Sequence, residues 1–353
     1  MTNNSSIHKE KKISLLQRIK QKIFFLFRLN HHPVIKVYNG WGNAEKIIVL
    51  GHVLRLSPLP RQTYRQNWVT NLFSLLRMFM VIPFSNAKIA IEWDGVIFNT
   101  ETEEDGFFRF EIFPAVGPGV GWKRVLVRLE ENKYHAQHIT GIGNIYIPFD
   151  SAHAFISDID DTFLISHSSR LRRRLYVLFT KNARSRKPFE GVVNHYQLLA
   201  GNGQTGENIN PFFYVSGSEW NLYDLILEFS RSNDLPKGVY LLSHLKRINE
   251  FWKSGQSNLS TKFRRISRII DAYPHLQFIL LGDDSQQDPD IYSSVVSHFP
   301  GKIFAVYMRR VRKSSYEKVQ MIMDEMEIKG VNCCYFKHSA EAVIHSKMIG
   351  LIV

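Results

Sequence analysis

Two rhythms of apolar and polar residues divide this 353-residue chain. Over residues 34–150 apolar positions mostly alternate with polar ones, the period-two signature of a strand with one buried face. The runs at 47–50 and 53–56 read as strands, those at 87–93, 107–113 and 122–129 alternate, and 144–148 closes the block, with turn chemistry at Asp94-Gly95 and Asp105-Gly106. The stretch 68–84 is apolar with no period of two and predicts a helix inserted between strands. From 151 onward, short continuous apolar runs at 154–157, 212–216, 239–242, 278–282 and 303–308 alternate with helical patterns at 220–230, 261–273 and 290–298. Continuous apolar runs suit strands buried on both faces, and their alternation with helices predicts a parallel sheet covered on each side. The expected fold class is α/β, a parallel sheet preceded by an antiparallel β-sandwich-like domain. The expected divisions are 1–33, 34–150 and 151–353.

Composition narrows the partners. Hydrophobic residues make up 44% of the chain, enough to bury a sizeable core. The formal net charge of +13 favours anionic partners: nucleic acid, an anionic membrane surface or phosphorylated substrates. No recognisable nucleic-acid-binding module accompanies the charge, so nucleic acid is not expected as a partner. No run of about 18 apolar residues predicts a transmembrane helix. Cys333 and Cys334 are adjacent, which offers neither a disulfide framework nor a zinc set and fits a reducing, cytoplasmic setting.

Two basic segments stand out. Lys9, Lys11, Lys12, Arg18, Lys20, Lys22 and Arg28 interleave with Ile13, Leu16, Ile19, Ile23 and Leu26 over 1–33. This reads as an amphipathic helix that lies either on an anionic membrane or on the protein's own body. It lacks the apolar core and cleavage site of a signal peptide. Between Thr162 and Phe189 there is no acidic residue, and Arg170, Arg172, Arg173, Arg174, Lys181, Arg184, Arg186 and Lys187 fall among apolar neighbours. That span suits a lipid headgroup and bilayer, or a helix packed on the sheet with a solvated basic face. The acidic residues at 101–105 read as a solvated turn.

The chemistry gathers after the apolar runs of the second half. Asp158, Asp160, Asp161 and Thr162 follow the first, and Ser216, Gly217 and Ser218 follow the second. Lys262 lies on the helix before the fourth run, and Asp283, Asp284 and Asp288 follow that run. Folding alone gains nothing from crowded carboxylates, which repel one another and resist burial. Phosphoryl transfer needs a nucleophile, a proton carrier, a cation and a cradle for phosphate oxygens. Asp158 can attack phosphorus, and Asp160, two residues on, can face the same ligand and move protons. Asp158, the Asp160 carbonyl and Asp283 are hard oxygen donors suited to magnesium. Ser216 with its neighbouring amides can hold phosphate, although a hydroxyl there also suits a helix cap. Lys262 adds a positive charge.

The order Asp158-x-Asp160-x-Thr162, Ser216, Lys262, Gly282-Asp283 resembles the four motifs of the haloacid dehalogenase superfamily. The strings Ile156-Ser157-Asp158-Ile159-Asp160-Asp161-Thr162, Val215-Ser216-Gly217-Ser218-Glu219-Trp220 and Gly282-Asp283-Asp284-Ser285-Gln286-Gln287-Asp288 are similar to the catalytic domain of the actin-patch-protein type of phosphatidate phosphatase. The resemblance covers roughly residues 150–312. It implies a haloacid-dehalogenase-like Rossmannoid sheet, with Asp158 as nucleophile, Asp160 as acid and base, and Lys262 as the motif lysine. It further implies Thr162, Ser216 and Gly217 around phosphate, and Mg2+ held by Asp158, Asp160, Asp283 and Asp288, with Asp284 as a rival to Asp288. Asp161 has no assigned role. Three places depart from the family pattern: Asp284-Ser285 where members commonly have Ser-Gly, Glu219 where Pro is frequent, and the segment 241–245. The implied activity is magnesium-dependent hydrolysis of phosphatidic acid to diacylglycerol and phosphate through an aspartyl phosphate. The alternative is a soluble phosphomonoester or phosphoprotein as substrate. An anionic membrane surface is the expected partner, with peripheral attachment to a membrane's inner face.

Overall fold

The computed structural model describes residues 29–30, 33–58, 78–130, 139–159, 191–201, 210–245 and 259–352. The first half is built from strands β1 (Leu29–Asn30), β2 (Val34–Val37), β3 (Gly40–Gly42), β4 (Ile47–Pro58), β5 (Ile82–Pro83), β6 (Lys88–Trp93), β7 (Val96–Glu101), β8 (Phe107–Ile112), β9 (Gly121–Leu129) and β10 (Thr140–Ile147). They form one hydrogen-bonded array, antiparallel except where β3 pairs with β10. The β6–β7 hairpin closes on Asp94 and Gly95, both at positive φ, the conformation a two-residue hairpin loop demands.

Strand β4 organises this half. The sequence pattern predicts two strands at 47–50 and 53–56, yet the chain runs through Gly51 as a single strand. A side chain at Gly51 would collide with the Phe108 ring and the Lys36 carbonyl, so glycine permits close packing here instead of a break. Both faces of β4 are buried. Ile47, Val49 and Val53 enter a core with Phe108, Phe110, Ile112, Val125 and Val127. Ile48, Leu50 and Leu54 point the other way and join the core of the second half.

The second half is a six-stranded parallel sheet. Its strands are β11 (His153–Asp158), β12 (Phe212–Glu219), β13 (Val239–Ser243), β14 (Gln277–Asp283), β15 (Ile303–Arg309) and β16 (Asn332–Phe336), in spatial order β13-β12-β11-β14-β15-β16. Numbered from its own first strand this is 3-2-1-4-5-6, the order of doubly wound sheets, whose ligands collect beyond the carboxyl ends of the strands near the switch between strands 1 and 4. The described helices are α1 (Val192–Ala200), α2 (Tyr223–Ser232), α3 (Leu259–Ala272), α4 (Asp288–His298), α5 (Tyr316–Ile328) and α6 (Ser339–Met348). The expected α/β class with an antiparallel array before a parallel sheet therefore stands.

The two halves share a packed boundary. The Tyr38 and Trp220 rings stack at 4.0 Å, Asn39 N–H donates to the Tyr223 hydroxyl at 2.9 Å, and the Tyr273 hydroxyl donates to the Gly42 carbonyl at 3.0 Å. One expected element changes. Of the predicted helix at 68–84, residues 68–77 lie outside the described residues, and helix ends at Met78. Ile82–Pro83 instead pairs with β4 as an edge strand, where a proline lacking an N–H is tolerated. The basic segments at 1–28 and 162–189, with Asp160, Asp161 and Thr162, also lie outside the described residues. Among the described residues no helix is long and apolar enough to cross a membrane.

Candidate active site

The polar groups meet at the carboxyl end of the parallel sheet. Asp158 ends β11, between Val215 of β12 and the end of β14. Asp283 ends β14, and Asp288 opens α4 five residues later. Gly282 lets them approach: a side chain there would meet Asp288 Oδ2 at 2.8 Å and the Tyr292 ring at 2.9 Å. Lys262, near the start of α3, reaches in from the side, with its Nζ 2.8 Å from Asp158 Oδ1 and paired also with Asp288 Oδ1.

All four side chains are buried. Burial works against the Lys262 charge, but Asp158 and Asp288 hold its pKa above the ordinary lysine value. Burial pushes the Asp283 carboxyl up to about 7, and the nearby Asp158 charge adds to the shift. Asp288 rises for the same two reasons, against the pull of Lys262. The Oδ2 atoms of Asp158, Asp283 and Asp288 are buried with no hydrogen-bond partner among the described residues. An unpartnered buried carboxylate oxygen costs free energy, so three in one place mark a site shaped for something else.

A hard divalent cation fits that donor chemistry. Magnesium takes one or two carboxylates and fills its remaining positions with water and substrate oxygens. No three acidic, imidazole or thiol side chains among the described residues are gathered closely enough to chelate an ion unaided. Asp158, Asp283 and Asp288 each keep a buried carboxylate oxygen that could serve such an ion, and Asp288 also pairs with Lys262.

Ser216 lies within β12, one residue past the Val215 that pairs with Asp158, fully buried, and its Oγ accepts the Ser218 amide at 2.9 Å. Gly217 is half-buried between them. The structure thus brings together Asp158, Lys262, Asp283 and Asp288, with Ser216 and Gly217 on the adjoining strand. The rival carboxylate Asp284 points elsewhere. Its Oδ1 accepts the amides of Val311 at 2.7 Å and Arg312 at 2.9 Å, and its Oδ2 accepts the Tyr335 hydroxyl at 2.7 Å.

Sequence reasoning missed Arg265. One helical turn beyond Lys262, its guanidinium donates to the Ser216 carbonyl at 3.0 Å and the Ser243 hydroxyl at 3.3 Å, tying α3 to β12 and to the end of β13. The three-residue spacing from Lys262 places both on one helix face and was the available signal.

Comparison with known proteins places a family match over the same segment. Residues 153–310 match the family model for the catalytic domain of phosphatidate phosphatase APP1. Phosphatidate phosphatase APP1 of Saccharomyces cerevisiae is 29% identical over 155 residues, 44% of this chain and 25% of that protein. An uncharacterised protein of Schizosaccharomyces pombe is 24% identical over 163 residues, 45% of this chain and 25% of its own. The chain's match therefore spans about a quarter of the length of these curated relatives. A solved carbohydrate acetylesterase from Xanthomonas citri aligns over 90% of this chain and 75% of its own at 9% identity, with a TM-score of 0.27, and carries no argument. The family match begins at the start of β11 and ends just past β15, so the segment that resembles the phosphatidate phosphatase APP1 catalytic domain spans every described residue of the carboxylate cluster.

Proposed function

We propose that this chain is a magnesium-dependent phosphatidate phosphatase of the haloacid dehalogenase type, working through an aspartyl phosphate on Asp158. The observation that carries the reading is the trio of buried, unpartnered carboxylate oxygens around Lys262 at the switch point of a 3-2-1-4-5-6 sheet. The family match over 153–310 supports the substrate class.

In the proposed mechanism an Asp158 oxygen attacks phosphorus, and the bond from phosphorus to the glycerol oxygen breaks. Asp160, two residues on, gives its proton to the departing alkoxide, so diacylglycerol leaves neutral. A water then attacks the aspartyl phosphate while Asp160 takes its proton, which releases inorganic phosphate and restores Asp158. Lys262 orients Asp158 through their ion pair and is itself anchored on Asp288. Ser216 and Gly217, with Thr162, cradle the non-bridging oxygens, and Arg265 fixes the backbone of that cradle against α3. Asp158 and Asp283, with the Asp160 carbonyl, would hold magnesium, which when bound would supply positive charge for the phosphoryl oxygens and relieve carboxylate repulsion.

Phosphate release from vesicles containing phosphatidic acid, set against a panel of soluble phosphate esters at matched magnesium, tests the reading. Preferential release from the vesicles, abolished by chelation, is expected. Equal or faster turnover of soluble esters removes the lipid assignment and leaves a general phosphomonoesterase. No turnover of either class removes the enzyme.

A further inference from the structure

Asp284 follows the proposed magnesium ligand Asp283 directly, yet every hydrogen bond described for its carboxylate goes to another task. Fully buried, it accepts the Val311 and Arg312 amides on one oxygen and the Tyr335 hydroxyl on the other. Its own amide donates to the Arg309 carbonyl at 3.1 Å, and the Arg310 amide donates to the Phe336 carbonyl at 2.7 Å. The backbone of residues 309–312 is thereby clamped to the ends of β14 and β16. A carboxylate spent on two backbone amides of a surface loop fixes which way that loop's side chains point.

The side chains of Arg310, Val311 and Arg312 face solvent. Arg310 and Arg312 are exposed, with Val311 between them at 43% exposure and Tyr316 at 42%. The Arg310 guanidinium lies over the Tyr316 ring, which stacks on Tyr335 at 5.6 Å. Lys337, whose carbonyl accepts from Arg309, is exposed in the neighbouring strand-end loop. From 309 to 316 there is no acidic residue in the sequence. The loop leaves β15 at Arg309, paired in register with Asp283, so it stands on the same end of the sheet as the carboxylate cluster.

We infer that the loop from Arg310 to Tyr316, buckled by Asp284, is a docking surface for an anionic lipid bilayer, which sets the open end of the parallel sheet against the membrane. The inference rests on the reading of the substrate as a membrane lipid. The chemistry is complementary: arginines for lipid phosphates, an exposed aliphatic side chain to enter the headgroup layer, and a tyrosine suited to the interface. The clamp lowers the ordering cost of docking, since the loop is already held in place.

The test uses the full chain and vesicles of phosphatidylcholine with or without a minor fraction of phosphatidylglycerol. Phosphatidylglycerol is anionic and is not the proposed substrate, so binding is scored independently of turnover. The paired variant Arg310→Gln with Arg312→Gln should bind the anionic vesicles at least tenfold more weakly, at about fivefold per cation. Arg310→Lys with Arg312→Lys should bind within about twofold of the parent, because a bilayer responds chiefly to charge. Unchanged thermal unfolding checks that both variants fold. Equal binding by parent and glutamine variant overturns the inference. Loss of binding by the lysine variant overturns it too, because that outcome demands an arginine-specific partner. If the glutamine variant loses binding while the parent hydrolyses no lipid, the docking surface stands and the phosphatase reading fails.

Discussion

Charge is handled in opposite ways by the two halves of this molecule. In the antiparallel half the described ion pairs of lysine and arginine sit at or near the surface. Lys46 meets Glu111 at 2.5 Å with both side chains more than a third exposed, and Arg128 meets Glu130 in the same manner. In the parallel half Asp158, Asp283 and Asp288 are buried around Lys262, with a free carboxylate oxygen on each among the described residues. Exposed pairs contribute little to stability and are tolerated anywhere. A buried surplus of negative charge costs stability and persists where a ligand uses it. The contrast locates function in the second half, and it also divides the consequences of mutation.

The largest expected effect is on activity. Asp158→Asn keeps the size of the side chain and removes the proposed nucleophile, so phosphate release should fall by about three orders of magnitude or more while thermal unfolding stays near the parent value. Retained turnover would place the chemistry elsewhere. Next comes stability. Lys262→Met strips the shared ammonium from Asp158 and Asp288, and breaking a buried pair in this way costs about 3 kcal/mol, measured by denaturant unfolding. A loss below about 1 kcal/mol would show that the cluster is wetter than its burial implies.

Buried charge in the second half also bears on pH. His195 packs with its Nε2 2.8 Å from Ser346 Oγ, and burial, with Arg309 and His345 nearby, lowers its pKa to about 3. The unfolded chain protonates this imidazole near pH 6.5. Between those values the unfolded state binds the extra proton, so unfolding free energy falls as pH drops through the window. His195 contributes a slope on the order of 1 kcal/mol per pH unit, opposed by the raised Asp283 carboxyl, and His195→Asn should remove the His195 share. An unchanged slope would mean that His195 is protonated in the folded protein. The smallest effect belongs to the first half: Lys46→Ala, which cuts an exposed pair with Glu111, should change stability by less than about 1 kcal/mol. A larger loss would blur the contrast between the halves.

Much of this arrangement is legible in sequence because parallel strands, buried on both faces, read as short apolar runs whose polar successors must sit at strand ends. Asp158, Ser216 and Asp283 each follow such a run, so their convergence could be expected before any coordinates. Helical spacing alone did not reveal Arg265, since its acceptors, a carbonyl and a hydroxyl, come from two distant strands. Asp283 and Asp284 are indistinguishable locally, and only the placement of Tyr335 and the loop at 311–312 separates their tasks. The sixth strand, Asn332–Phe336, escaped notice because four of its five residues are half-buried and the apolar run is short. In the first half, Gly51 reads as a break but serves close packing, and a strand whose two faces enter different cores carries no clean alternation.

The claim that the buried carboxylates form a phosphoryl-transfer centre meets its most direct test in the covalent intermediate. Enzyme quenched during turnover of radiolabelled phosphatidic acid in the presence of magnesium can be digested and its labelled peptide sequenced. Phosphate bound through an acid-stable, base-labile linkage at Asp158 is the expected result. Label on another residue, or rapid turnover with no label on the protein, would contradict it.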